Sequence, residues 1–195
     1  MVSLKAGLGL VPRAFPHQFA WVLNSPLRNL LIAPQTLVAR IPLRSTDTIL
    51  ELGPGAGYFS LALADAVPEG HLELVDVQPE MLAKARARLS AHRYARAGFT
   101  VADAGVDLPF ESGSFDVAVL VAVLGEVGDT ARCLQSLAQV TRAGGILAVH
   151  EGWPDPDRIS LPVLETLVTP HGFTLEQIDG PSWNYTAIFR RQSNS

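Results

Sequence analysis

Hydrophobic and polar positions change period repeatedly along this chain. From Thr46 onward, short apolar runs alternate with stretches of helical spacing. "TILEL" reads as a strand. "YFSLALADAV" reads as a helix, apolar at Phe59, Leu61, Leu63 and Val67. "HLELVDV" alternates strictly and then turns apolar, which predicts a second strand. "PEMLAKARARLSAH" follows as a helix with Pro79 in its first turn, where a missing N–H leaves no bond unmade. "FTVAD" predicts a short strand, and "FDVAVLVAV" a β-branched strand buried on both faces. "TARCLQSLAQVTRAGG" predicts a helix ending on its glycines, and "ILAVHE" a further strand.

Strand and helix in alternation predict a parallel sheet with helices on both faces. The end of the chain breaks that rule. "FTLEQIDGPSWNYTAIFRR" holds two strands joined by a Gly-Pro turn region with no helix between them, hence an antiparallel hairpin on an otherwise parallel sheet. The first 45 residues also differ. "HQFAWVLNSPLRNLLIAPQTLVARIPL" predicts two short helices broken at Pro26 and Pro34. The expected division is therefore an N-terminal helical cap over residues 1–45 and a core over 46–195, in one domain overall.

Composition narrows the function classes. A chain of 195 residues with 48% hydrophobic content can bury one sizeable core, and 17% charged residues argues against wholesale disorder. The net charge is −4, and "KARARLSAHRYAR" is the one basic cluster. That pattern suits the wet face of a helix better than a nucleic-acid footprint, so no nucleic-acid partner is expected. The single cysteine, Cys133, excludes an internal disulfide and a multi-cysteine metal site, and implies a reducing compartment. No apolar run approaches the roughly 20 residues of a membrane span. The expectation is a cytoplasmic protein. The five histidines are scattered without ligand spacing, so no metal is expected.

The candidate chemistry begins at "ILELGPGAGYFS". A helix starting straight after a strand points unpaired N–H groups above the sheet edge, and glycines let a ligand approach that backbone. Nineteen residues after Gly57, at the end of the second strand, stands Asp76. A carboxylate there can accept from both hydroxyls of a ribose. The spacing Gly53-x-Gly55-x-Gly57 is one residue shorter than the dinucleotide fingerprint, and Pro54 removes one N–H from the cradle. Taken alone, the turn is either structural or a cofactor cradle.

Five motifs in order then resemble one family, the class I S-adenosylmethionine (SAM)-dependent methyltransferases. They are "ILELGPGAGYFS", "LVDVQPEMLAKAR", "VADAGVDLPFESGSFDVAV", "VTRAGGILAVHE" and "GFTLEQIDGPSWNYTAIFRR", spanning Thr46 to Arg191. Within that family the chain resembles the type 11, ubiquinone-biosynthesis-like methyltransferases. "NSPLRNLL" is similar to small prokaryotic members of undefined substrate. The resemblance implies a three-layer αβα sandwich with a seven-stranded, mostly parallel sheet in the order 3-2-1-4-5-7-6, strand 7 antiparallel. It implies that Glu51, Gly53, Gly55 and Gly57 flank the methionine moiety of SAM, with Tyr58 beside them. Asp76 would hold the ribose; Val77 and Gln78 would lie along the adenine. Asp103 would accept from the adenine amino group beside Ala104, and Leu120 and Val121 would line the methionine end. One departure touches Asp103: three residues, Gly105 to Asp107, separate "DA" from "LPF", where many relatives have two.

On the acceptor side, His17 and Trp21 share a helix face by their spacing, and Trp183 and Tyr185 lie near the hairpin turn. Glu126, His150 and Glu151 follow strand ends and are the candidates for catalytic or orienting groups. Packing alone is the competing reading for each. The expected activity is methyl transfer from SAM to a small-molecule acceptor, releasing S-adenosylhomocysteine. Two rivals stand beside it: a SAM-fold protein that binds without turnover, and a nicotinamide-dependent oxidoreductase, which would carry the longer glycine spacing. A homodimer is an open alternative, with the apolar N-terminal helices covering either the pocket or a second subunit.

Overall fold

The computed structural model describes residues 32–92, 94, 96–153 and 155–193. His17 and Trp21, and the first of the two helices expected in the cap, lie outside them. The first element among the described residues is helix α1 (Pro34–Arg40), followed by strand β1 (Thr48–Leu52) and helix α2 (Ser60–Ala66). Strand β2 (His71–Asp76), helix α3 (Pro79–Ala91) and strands β3 (Ala97–Val101) and β4 (Phe115–Val121) come next. A 3-10 turn (Leu124–Glu126) leads to helix α4 (Thr130–Val140) and strand β5 (Thr141–Gly152). Helix α5 (Leu161–Val168) precedes the hairpin of β6 (Phe173–Asp179) and β7 (Asn184–Arg191).

The seven strands form one sheet in the order β3-β2-β1-β4-β5-β7-β6. β1 to β5 pair in parallel, and β7 runs antiparallel to both β5 and β6. The expected strand order and the inserted antiparallel strand are both present. Alternating side chains divide the core in two. Leu50, Leu52, Leu120, Leu147 and Val149 pack towards α4 and α5. Ile49, Val117, Val119 and Ala148 pack towards α1, α2 and α3. β4 is buried on both sides through its centre, which is why its sequence reads as an unbroken β-branched run. Cys133 is buried in the first of these clusters, and burial pushes its thiol up to about 12.

One local expectation is corrected, and one helix is added. α4 stops at Val140 instead of continuing to the glycines, because Thr141 is already extended and pairs with Phe115. Asp116 then takes the Arg142 Nε at 2.6 Å, fixing the start of β5. Gly145 fits there only without a side chain, since a Cβ would lie 2.9 Å from the Asp116 carbonyl. Helix α5 has no counterpart in the sequence reading, because its apolar stretch between Pro162 and Pro170 spans too few turns to announce a helix by period.

Candidate functional site

The carboxyl ends of β1, β2, β4 and β5 form one edge of the sheet, and the glycine turn rises from it. Gly53, Gly55 and Gly57 all adopt left-handed backbone, with φ of +66°, +54° and +75°. Their surroundings differ. A Cβ on Gly53 would lie 2.5 Å from Val123, and one on Gly57 would lie 2.9 Å from the backbone of Ala85 in α3. Both are therefore held by packing. Around Gly55 no atom of the described residues beyond its chain neighbours lies within 4 Å of the same position, so among them this glycine faces open space.

Asp76 ties the turn to β2. Its Oδ2 accepts from the Gly55 N–H at 3.3 Å and its Oδ1 from the Gln78 N–H at 2.9 Å. The residue is buried, and desolvation raises its pKa despite backbone donors from Gln78, Gly55 and Val77. A carboxylate in that condition gains from further hydroxyl donors. Glu51 is buried at the end of β1, and Tyr58 stacks edge-on to Phe59 with ring centres 4.9 Å apart. Val77 is exposed and Gln78 half-buried, both next to the edge.

Asp103 lies beyond β3 and is exposed; its Oδ1 accepts from the Gly105 N–H at 2.8 Å, so the lengthened loop folds back on the carboxylate. Ala104 packs on the core beside it. Leu120 and Val121 part company at the end of β4. Leu120 points into the sealed core below α4, while Val121 is partly buried on the opposite face. Directly after them, Ala122 carries φ +53° and donates its N–H to the His150 carbonyl at 2.9 Å. That strained residue turns the chain sharply and brings Val123 over Gly53. No spacing or motif in the sequence signals it.

His150 and Glu151 are successive residues of β5, so they face opposite sides of the sheet. Both are buried. His150 Nδ1 is 3.0 Å from Thr186 Oγ1, which also accepts from Arg40 Nη1 at 3.2 Å. Burial and the Arg40 charge pull the imidazole pKa down to about 4, so it is neutral at physiological pH. The Glu151 carboxyl accepts from the Ile159 N–H at 3.0 Å. Burial, then Asp155 and Glu126, push it up to about 7 against the opposing Ile159 bond and Arg158 charge. Tyr185 donates to the Ile159 carbonyl at 2.7 Å, so β5 and β7 grip the same residue of the following loop. Gly125 also leaves room for that loop, since a Cβ there would lie 2.1 Å from the Asp157 carbonyl. Glu126 stands half-buried in the 3-10 turn below it. Tyr185 is a buried core residue, whereas Trp183 is 55% exposed on the hairpin turn. The structure thus gathers the glycine turn, Asp76, Val121, Glu126, His150 and Glu151 at one edge, with Asp103 at its margin.

Among the described residues, no group of three or more His, Cys, Asp and Glu side chains could hold a metal, and no helix is long and apolar enough to cross a membrane. An open groove of about 990 Å³ lies at the far end of the sheet, around Gln139, Arg142 and His171, away from all of these groups.

Residues 43–171 match the family model described as a methyltransferase domain. The chain is 28% identical over 144 residues to a protein-L-isoaspartate O-methyltransferase of Ignicoccus hospitalis, covering 73% of this chain and 63% of that one. It is 33% identical over 126 residues to a trans-aconitate 2-methyltransferase of Methylobacterium radiotolerans, covering 65% and 44%. An arsenite methyltransferase of Halobacterium salinarum is 30% identical over 132 residues, covering 66% and 33%. The chain thus spans between 33% and 63% of the length of these relatives. Among solved structures, a SAM-dependent methyltransferase from Aquifex aeolicus superposes with a TM-score of 0.81 at 18% identity, over 91% of this chain and 98% of that one.

Proposed function

The chain belongs to the methyltransferase-domain family, as a class I SAM-dependent methyltransferase fold, and from that premise we propose that it transfers a methyl group from SAM to a small-molecule acceptor. The observation that carries this reading is the open position at Gly55 held against the Asp76 carboxylate. The fit to the cofactor is chemical. A left-handed glycine with no described neighbour beside it admits a ligand next to the backbone, and a desolvated carboxylate at the adjacent strand end suits the two hydroxyls of a ribose. Gly53 and Gly57 hold the shape of the turn, Gly55 makes room, and Asp76 binds. Glu51, Tyr58, Val77, Gln78, Asp103, Ala104 and Val121 complete the proposed cofactor surroundings, whereas the Leu120 side chain, expected there from the sequence, is sealed in the core.

Bound SAM supplies an electrophilic methyl on a sulfonium. The chain's share of the work is alignment, which in well-oriented reactions contributes about 7–11 kcal/mol. Glu151, with a pKa near 7, is suited to take a proton from an acceptor hydroxyl or amine at neutral pH, more so than the neutral, weakly basic His150. Glu126 stands beside it as an electrostatic neighbour. The relatives named for trans-aconitate and arsenite support a small acceptor. With one cysteine in the chain, we favour the organic acid over arsenite. The test is S-adenosylhomocysteine release from SAM across an acceptor panel that includes trans-aconitate. Turnover above the acceptor-free rate supports the proposal. Tight SAM binding without turnover on any acceptor would instead favour a non-catalytic binder.

A further inference from the structure

Two large aromatic side chains of this protein stand in water. Trp153 is 68% exposed and Trp183 55%, whereas Phe59, Phe115, Phe173, Phe189 and Tyr185 are buried. A single exposed apolar side chain is ordinary on a protein surface. These two are neighbours. The register of β5 with β7 pairs Glu151 with Tyr185 and Gly152 with Asn184. The Trp153 N–H then donates to the Trp183 carbonyl at 2.9 Å, so the ladder runs one pair further. Residues directly opposite in an antiparallel ladder hold their Cβ atoms about 4.5–5.5 Å apart on one face. Alternation puts the two tryptophans on the face of Glu151 and Tyr185, about 7 Å further along the strands. Neither indole makes a ring–ring or cation–π contact among the described residues.

The backbone beneath the indoles is tied down. The Asn184 N–H donates to the Pro181 carbonyl at 2.9 Å and closes the hairpin turn. Arg158 Nη1 donates to the Ser182 carbonyl at 3.1 Å, which joins that turn to the loop after β5. The Asp155 N–H donates to the Gly152 carbonyl at 3.2 Å. A surface held in this way has little freedom left to lose when a ligand lies on it. It continues directly into the proposed site, because Glu151 is the preceding residue on the same face, and its Oε1 is buried with no hydrogen-bond partner among the described residues.

The chemistry of the surface selects the ligand. A cation is the competing occupant, since indoles attract cations and Glu126, Glu151 and Asp155 stand close together. Arg158 already brings a guanidinium to both Glu151 and Asp155, and burial leaves Glu151 about half neutral at pH 7. The uncommitted groups are the two indole faces. A saturated ring laid on them gains only buried area. An aromatic ring gains offset or edge-to-face pairing with the indoles as well.

We propose that Trp153 and Trp183 form an aromatic platform that receives a planar aromatic ring of the methyl acceptor beside Glu151. This names a substrate class for the methyltransferase reading and rests on it. An aromatic acid, a phenol and an arylamine share the ring that the platform binds; the group at Glu151 is the one that differs.

The test titrates two matched pairs by calorimetry: 2-naphthol with decahydro-2-naphthol, and 2-naphthoate with decahydro-2-naphthoate. Choline is the cation control. Each is run on the full chain with and without saturating S-adenosylhomocysteine. The variants are Trp153→Leu and Trp183→Leu, which keep an apolar side chain and remove the indole, and Trp153→Phe, which keeps a ring. Far-ultraviolet circular dichroism and thermal melting establish that each is folded. The expected result is saturable binding of at least one aromatic member to the loaded chain, at least fivefold tighter than its saturated partner. Either leucine variant should lose at least fivefold, Trp153→Phe should retain most of the affinity, and S-adenosylhomocysteine affinity should stay within twofold throughout. Equal binding of the saturated partners would reduce the platform to an apolar patch and overturn the proposal. Unchanged affinity in both leucine variants, choline in preference to either aromatic compound, or no binding of any ring would overturn it too. So would competition between the ring and S-adenosylhomocysteine, which would place the ring in the cofactor's own site. Absence of S-adenosylhomocysteine binding by the wild type would sink the methyltransferase reading, while the titrations of the unloaded chain and its leucine variants would still decide the platform.

Discussion

Replacing Glu151 with glutamine should change how the stability of this protein depends on pH. Burial raises the Glu151 carboxyl from its usual 4.5 to about 7. Between those values the unfolded chain has released a proton that the folded chain keeps. The contribution to stability is fully present below about pH 4.5 and is lost as pH rises through about 7. At 1.36 kcal/mol per pH unit, the loss is about 3 kcal/mol, of which about 2 kcal/mol falls between pH 5 and 7.5. His150 acts in the opposite sense. Burial and Arg40 lower it from 6.5 to about 4, so its contribution is present above about pH 6.5 and is lost as pH falls through about 4. In wild type the two slopes nearly cancel. Glu151→Gln removes one of them and keeps an oxygen for the Ile159 N–H. Its stability relative to wild type should therefore rise by about 2 kcal/mol from pH 5 to 7.5. His150→Gln should fall relative to wild type over the same range. Urea unfolding followed by circular dichroism at a series of pH values measures both, and the comparison with wild type removes the slopes of other shifted groups such as Asp76 and Asp116. A Glu151→Gln difference that is the same at pH 5 and pH 7.5 would refute the reasoning, because it would mean that the carboxyl titrates normally.

Two further predictions concern the turn and the strained strand end. Gly55→Ala should fold at a penalty of about 1 kcal/mol for its left-handed backbone and weaken S-adenosylhomocysteine, whereas Gly57→Ala should be the more destabilising, since its methyl meets the Ala85 backbone; chemical denaturation paired with ligand titration separates the effects. Equal stability of the two variants would contradict the assignment of one glycine to the ligand and the other to packing. Ala122→Gly should relieve the left-handed strain after β4 and raise stability by up to about 1 kcal/mol in urea unfolding; a loss of stability would show that the Ala122 methyl contributes more than the strain removes.

Much of this architecture is written in short-range pattern. The alternation in β2, the β-branched run of β4 and the three glycines after β1 announce themselves, because each depends on neighbours a few positions away. Asp76 is legible for the same reason: a carboxylate ending a strand just past a glycine turn has a restricted place to be. The surroundings of His150 are of another kind. Arg40 and Thr186 are 146 positions apart, and Gly152 meets Asn184 only through the register of β5 with β7. Nothing in the spelling of "HEGW" indicates that its histidine is tied to a guanidinium from α1. The sharp turn at Ala122 is equally silent, since alanine carries no preference for left-handed backbone and the Val123 contact on Gly53 follows from it.

The central claim is that the glycine turn and Asp76 hold a SAM-type ligand, and calorimetric titration of the purified chain with S-adenosylhomocysteine tests it most directly. NADH serves as the control ligand and Asp76→Ala as the control protein. The expected result is saturable binding of S-adenosylhomocysteine, no binding of NADH, and at least a tenfold weaker affinity in folded Asp76→Ala. A folded wild-type protein that takes up no S-adenosylhomocysteine at millimolar concentration would contradict it and leave the three glycines as a turn alone.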